Sequence, residues 1–226
     1  MAQYEAGGFT RTTTRKIGTD QQLHSYSTQF SAANMESYLD ILDELRCGDD
    51  ERAEAAFSHL AAWDPELVEP LRERLFSPEA EVRWWAVRAL AEINDGRVPG
   101  LLVGALSDPD KGVRWCAGLA LRTHPSEPAA SALLTLLSDE DALTRRLAGD
   151  ALVAIGSPVV PQLLDAMQNG EHLPRLEAAR VLAKIGDERA IPALYKALED
   201  NSALIEYWAT EGLEKMGVGM VFFKPE

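Results

Sequence analysis

Positive charge is in short supply in this chain of 226 residues: 22 Lys and Arg stand against 36 Asp and Glu, a formal net charge of −14. That excess repels nucleic-acid backbones and anionic lipid, which disfavours a DNA, RNA or membrane-surface role. Cysteine is nearly absent. Cys47 and Cys116 are too few for a disulfide framework and form no CxxC pair, so zinc-ribbon and thioredoxin-like chemistry drop out. No apolar run approaches the roughly 20 residues a membrane span needs, and no charged-then-apolar leader opens the sequence. The expected setting is cytoplasmic and aqueous. Catalytic signatures are missing too. HExxH, a phosphate loop and a nucleophile elbow do not occur, and His24, His59, His124 and His172 are scattered. The 46% hydrophobic content nevertheless supplies ample core.

What the chain does contain is a repeat. EVRWWAVRAL at 81–90 returns thirty-one positions later as GVRWCAGLAL at 112–121. Anchored on the residue after the apolar one, the register continues through Arg83, Arg114, Arg145, Arg175 and Glu206, at spacings of 31, 31, 30 and 31. Three residues on stand Ala86, Ala117, Ala148, Ala178 and Ala209; seven on, Leu90, Leu121, Leu152, Leu182 and Leu213. With the apolar residue before the anchor, these offsets share one face of a helix. Alanine there suits a close helix crossing.

Between these helices lie shorter apolar segments, VPGLLVGAL, PAASALLTLL, PVVPQLLDAM and AIPALYKAL. Proline near a helix start is tolerated because its missing N–H has no partner there. The turns SDPD and SDED place aspartate where it caps the next helix. The unit is a helix–turn–helix that cannot bury its apolar face alone, so copies stack in a line. PELVEPLRERLF (65–76) precedes the Arg83 helix, and a divergent first pair is expected over 35–46 and 50–62. Three regions follow: an arm at 1–33, a repeat array at 34–216 and an apolar tail at 217–226. The arm reads as flexible, or as a segment that orders on a partner. The tail reads as a cap on the last repeat through Val221, Phe222 and Phe223, or as a docking strand.

SDPDKGVRWCAGLAL, SDEDALTRRLAGDAL and IGDERAIPALYKAL resemble the HEAT repeat superfamily, most closely its short bacterial form named after phycobilisome-lyase (PBS lyase) HEAT-like proteins. The resemblance is good over 65–216 and weak over 35–62. It implies an all-α fold: a right-handed, armadillo-like α-solenoid of about six stacked antiparallel helix pairs. It also implies a structural ladder in which a turn aspartate pairs with the helix arginine six residues later, Asp108 with Arg114 and Asp139 with Arg145. Ser77 and Asn169 replace that acid for Arg83 and Arg175, and Asp200 faces Glu206, so the ladder is expected to fail towards both ends.

The position after each anchor lies about 200° round the helix from the core-facing residue before it. Its occupants are Trp84, Trp115, Arg146, Leu176 and Tyr207, with Arg88, Leu119 and Arg180 among the residues one turn on. By resemblance this side lines the concave face. Trp84, Arg88, Trp115, Arg146, Leu176, Arg180 and Tyr207 are therefore the candidate binding residues, since aromatics and arginine dominate binding hot spots. The alternative is that each Trp packs on arginine stems of a neighbouring repeat as a spacer. Trp85 and Trp208 are assigned to packing. Cys116 is read as a small buried hydrophobe.

The functional expectation is a non-catalytic scaffold that grips another protein, of basic or mixed charge because Glu92, Asp150 and Glu211 surround the groove. No metal or cofactor is called for. The alternative is a bilin lyase or lyase-like subunit acting on phycobiliproteins, with indoles stacking on pyrroles and arginines pairing with propionates. The family's deoxyhypusine hydroxylases carry His-Glu dipeptides that hold iron. This chain has none, only the reversed Glu171-His172.

Overall fold

The computed structural model describes residues 65–218. The expected first pair at 35–62, the arm at 1–33 and residues 219–226 of the tail lie outside that range. Ten α-helices fall in it, and no strand. They form five pairs: α1 (Val68–Arg74) with α2 (Ala80–Leu90), α3 (Val98–Ala105) with α4 (Lys111–Thr123), α5 (Ala130–Thr135) with α6 (Ala142–Ile155), α7 (Val160–Asn169) with α8 (His172–Ile185), and α9 (Ile191–Ala197) with α10 (Ala203–Lys215).

Local chemistry sets these limits. Asp110 begins α4 by accepting from the N–H groups of Gly112 and Val113, and Asp141 caps α6 through Thr144 N–H, satisfying donors that have no partner in the first turn. Pro99, Pro161 and Pro192 stand in the first turn of α3, α7 and α9. At the end of α8, Gly186 takes φ +71 and ψ +35 and returns its N–H to Leu182, a left-handed stop open to glycine at little cost.

Two leucine rows build the core. Leu71, Leu102, Leu133, Leu163 and Leu194 come from the first helices and are all fully buried. Leu90, Leu121, Leu152, Leu182 and Leu213 face them from the second helices, none more than 2% exposed. The expected alanine row is buried in every pair. Burying one leucine is worth roughly 1.5–3 kcal/mol, so each pair adds a similar increment to a continuous core.

The second helices also pack directly on one another in sequence, α2 on α4, α4 on α6, α6 on α8 and α8 on α10, while neighbouring first helices touch only lightly. The second helices are therefore the more closely packed of the two layers of the α-solenoid. Two Asp-x-Arg turns tie the other layer together. Arg97 is held by Asp95 and donates to the Pro65 carbonyl, and Arg189 is held by Asp187 and donates to that of Ser157, each thirty-two residues back.

Candidate functional site

A half-open groove of about 690 Å³ runs along the layer of second helices. Its floor is α4, which contributes Gly112, Trp115, Cys116, Leu119 and Thr123. The wall from α2 and the turn after it brings Trp84, Arg88 and Glu92, and that from α6 brings Leu143 and Leu147. Floor residues at intervals of three and four occupy one helix stripe, opposite the leucine row that faces the core. Leu119 and Leu143 are 48% and 44% exposed, an unusual cost for neighbouring aliphatic side chains.

The two indoles sit differently. Both are half-buried. Trp84 meets Trp85 edge-on at 4.8 Å between ring centres, and the Arg88 guanidinium lies 6.0 Å and 5.8 Å from the two rings. Its indole N–H has no hydrogen-bond partner among the described residues. Trp115 instead donates from Nε1 to Asp141 Oδ2 at 2.9 Å and Thr144 Oγ1 at 3.0 Å, both in the next repeat, with Lys111 Nζ 5.3 Å from its ring. Hydrogen bonds from the Thr144 backbone and hydroxyl, and then from the Trp115 N–H, hold the Asp141 carboxyl below the usual carboxylate range. Trp115 thus joins two repeats and floors the groove at once. Between the indoles, Cys116 places its sulfur 4.0 Å from the Trp84 carbonyl. Burial pushes its thiol up to about 11, so it is a packing group and a poor nucleophile.

The remaining candidates do not gather here. Arg146 is exposed on α6 and reaches Asp150 at 3.4 Å. Leu176 and Tyr207 lie further along the array, Tyr207 51% exposed and edge-on to Trp208 at 5.0 Å. Arg180 departs from expectation: it is 3% exposed and turned between α6 and α8. There it donates to Asp150 Oδ1 at 2.7 Å, Glu177 Oε2 at 2.7 Å and the Arg146 carbonyl at 3.1 Å. The cause is Gly149, which leaves room for the guanidinium. Burial opposes ionisation of Asp150, yet hydrogen bonds from Arg180 and Lys184 hold its carboxyl below the usual range. That acid is engaged internally and adds little to the charge a ligand meets.

Residues absent from the candidate set complete the surface. Besides Leu119, Leu143 and Leu147, exposed Leu173 and Leu204 begin α8 and α10. Leu143, Leu173 and Leu204 all stand two residues before the anchor, a recurrence present in the sequence but hidden by the more conspicuous aromatics.

The Asp–Arg ladder is built across repeats. Arg83 forms a bidentate pair with Asp108, Nε to Oδ2 at 2.7 Å and Nη2 to Oδ1 at 2.8 Å, while its Nη1 donates to the Ser77 and Pro78 carbonyls. Arg114 does not meet the Asp108 carboxylate expected of it. It donates to the carbonyls of Asp108 and Pro109, and Arg145 likewise to those of Asp139 and Glu140. A second pair joins Arg175 to Asp200, again twenty-five residues on. The ladder is therefore present towards the ends of the described array, where it was expected to fail. In between, Arg114 and Arg145 each leave a buried Nε without a hydrogen-bond partner. The reason is geometric: the turn carboxylate also accepts a backbone N–H two residues on, as Asp108 does from Asp110, which aims it away from its own helix. The side-chain bonds of Arg83, ahead of the opposing cost of burial, hold the Asp108 carboxyl below the usual range.

No cluster of His, Cys, Asp or Glu suited to a metal ion occurs among the described residues. His124 ends α4 and its Nε2 lies 2.7 Å from the Ala91 carbonyl, tying α4 to the neighbouring repeat. His172 is exposed at the start of α8, while His24 and His59 lie outside the described residues. No single helix among the described residues is long and apolar enough to cross a membrane.

A sequence model of HEAT repeats matches residues 39–122, 98–174 and 161–218. No curated protein sequence matches the chain. Among solved structures, an archaeal HEAT-like repeats protein from Thermococcus onnurineus superposes with a TM-score of 0.58 at 16% identity, over 82% of each chain. The complex of CpcE and CpcF of phycocyanin lyase from a Nostoc species gives 0.48 at 21% identity, over 78% of this chain and 76% of that one. A designed armadillo repeat protein in complex with a (KR)4 peptide gives 0.47 at 20%, over 78% and 98%. At these identities the likeness is one of fold.

Proposed function

Because this chain belongs to the HEAT repeat family, we propose that it is a non-catalytic scaffold whose layer of second helices grips a protein partner along α4. The observation that carries the reading is the groove itself, where Leu119 and Leu143 stand exposed beside two half-buried indoles. Apolar concavities that keep aromatic and aliphatic side chains in water are the usual anchoring places for partners. The Asp108 and Asp150 carboxylates are held by arginines, and the half-buried Cys116 thiol is raised; these groups brace the fold and offer no poised acid, base or nucleophile. A free thiol at Cys116 suits a reducing, cytoplasmic compartment.

A volume of about 690 Å³ also lies in the range of small-molecule sites, which is what supports the bilin-binding alternative. One experiment separates the two. The full chain is used to capture partners, with mass spectrometry and a visible absorbance scan on the same eluate. The expected result is a colourless eluate with one protein in stoichiometric amount, lost with Leu119→Glu while thermal unfolding stays as in the parent. Equal capture by that variant overturns the groove assignment. A pigmented eluate transfers the groove to a tetrapyrrole.

A further inference from the structure

We propose that the element seated in the groove is a short amphipathic α-helix of the partner, about three turns long, lying along α4 and antiparallel to it. This rests on the groove being a protein-binding site and specifies what it binds.

Shape is the first support. The floor follows a single stripe of α4 from Gly112 to Thr123, which at 1.5 Å per residue spans roughly 16 Å, about three helical turns. Packed helix axes stand roughly 8–10 Å apart, so the axes of α2 and α6 are separated by about twice that. A partner helix laid over α4 then rests in the dip between those two helices and reaches side chains of both.

Backbone chemistry is the second. An extended segment brings an N–H and a C=O at every residue, and each needs a partner once water is excluded. The floor has few to give. The Trp115 N–H is engaged by Asp141 and Thr144, and Leu119, Leu143 and Leu147 offer none. A helix satisfies its own backbone and presents only side chains, in the pattern i, i+3, i+4, i+7 that apolar grooves accept.

Charge sets the direction. Lys111 stands exposed at the start of α4, and Glu92 is exposed in the turn just after α2, at the opposite end of the groove. Neither makes a direct ion pair with any described residue; Lys111 lies over the Trp115 ring and its charge also acts on Asp141, while the Asp110 and Asp141 oxygens are engaged as helix caps. An antiparallel helix places its partly negative C-terminus beside Lys111 and its partly positive N-terminus beside Glu92.

The test selects phage-displayed random 16-residue peptides on the full chain after depletion on the double variant Leu119→Glu/Leu143→Glu. The expected binders repeat apolar residues at i, i+3, i+4 and i+7, and their synthetic forms gain helical circular dichroism on binding. Proline at the centre of such a peptide weakens it at least about tenfold. Photo-crosslinkers give an independent orientation that needs no folded variant: a C-terminal probe labels the Lys111 end and an N-terminal probe the Glu92 end. The reversed labelling overturns the antiparallel arrangement. Groove-dependent binders with alternating or proline-rich patterns overturn the helix and leave the groove a protein site. Absence of any groove-dependent binder overturns both.

Discussion

Asp108 and Asp139 occupy the same place in successive repeats, yet replacing each by asparagine is expected to have different consequences. Asp108 accepts two charge-assisted hydrogen bonds from Arg83, and the two side chains are only 8% and 10% exposed. In Asp108→Asn the amide keeps one acceptor oxygen but loses the charge, leaving the guanidinium with neutral acceptors, that oxygen and the Ser77 and Pro78 carbonyls, and the Asp110 charge. Removing one partner of a nearly buried pair of this kind costs about 2–3 kcal/mol. For a chain of this size that is a fall of roughly 4–12 °C in unfolding midpoint. Asp139 accepts from the Asp141 N–H, a bond the asparagine oxygen retains, and no arginine reaches its carboxylate among the described residues. Asp139→Asn is expected to stay within about 0.5 kcal/mol of the parent. Urea unfolding followed by circular dichroism measures both. A double-mutant cycle then adds Arg83→Met and, separately, Arg114→Met. Coupling is expected between positions 83 and 108 and little between 114 and 108. Equal losses for the two asparagines, or stronger coupling to Arg114, would refute the cross-repeat ladder.

Four further outcomes follow from the same geometry. A methyl at Gly149 would overlap Arg180 Nη2 and approach Val181 Cγ2 to 3.1 Å, so Gly149→Ala should cost about 1–3 kcal/mol in urea unfolding. Gly104→Ala, with nothing within 4 Å and a place inside α3, should instead gain roughly 0.5–1 kcal/mol. Trp115→Phe removes the indole bonds to Asp141 and Thr144 and should lower the thermal midpoint, while Trp84→Phe should not; equal effects would show that Trp115 does not join the repeats. Acid should destabilise the fold in a defined window. The carboxyls of Asp108 and Asp150 are lowered in the folded chain, so their contribution is complete above the ordinary unfolded value of about 4 and is lost as pH falls through the lower folded values. A midpoint that holds steady from pH 5 to 2 would contradict this.

Much of the architecture was legible before any coordinate. Leu90 and its four successors announced the core stripe, and Asp110 and Asp141 announced helix starts, because both depend on phase along a single helix or on bonds a few residues long. The groove was legible in part. The offset that picked out Trp84 and Trp115 found its floor and one wall, yet it also selected Arg180, which lies inside. It passed over Leu143 and Leu147, whose importance comes from being brought up beside α4. Arg180 misled because a helical wheel gives a direction and is blind to the space that Gly149 opens on the neighbouring helix.

The sequence by itself determined the repeat length, the pairing of short and long helices and the residues that face inward, since a period of three to four residues and a pitch of about thirty-one are properties of the chain order. Tertiary structure alone decided which carboxylate meets which arginine, which of two equivalent indoles has its N–H engaged, and that three second helices enclose a groove. Those outcomes depend on the rotation and translation of one repeat against the next. Small differences there move a side chain by several ångströms, farther than a hydrogen bond can stretch, and the spacing of residues along the chain leaves them unspecified.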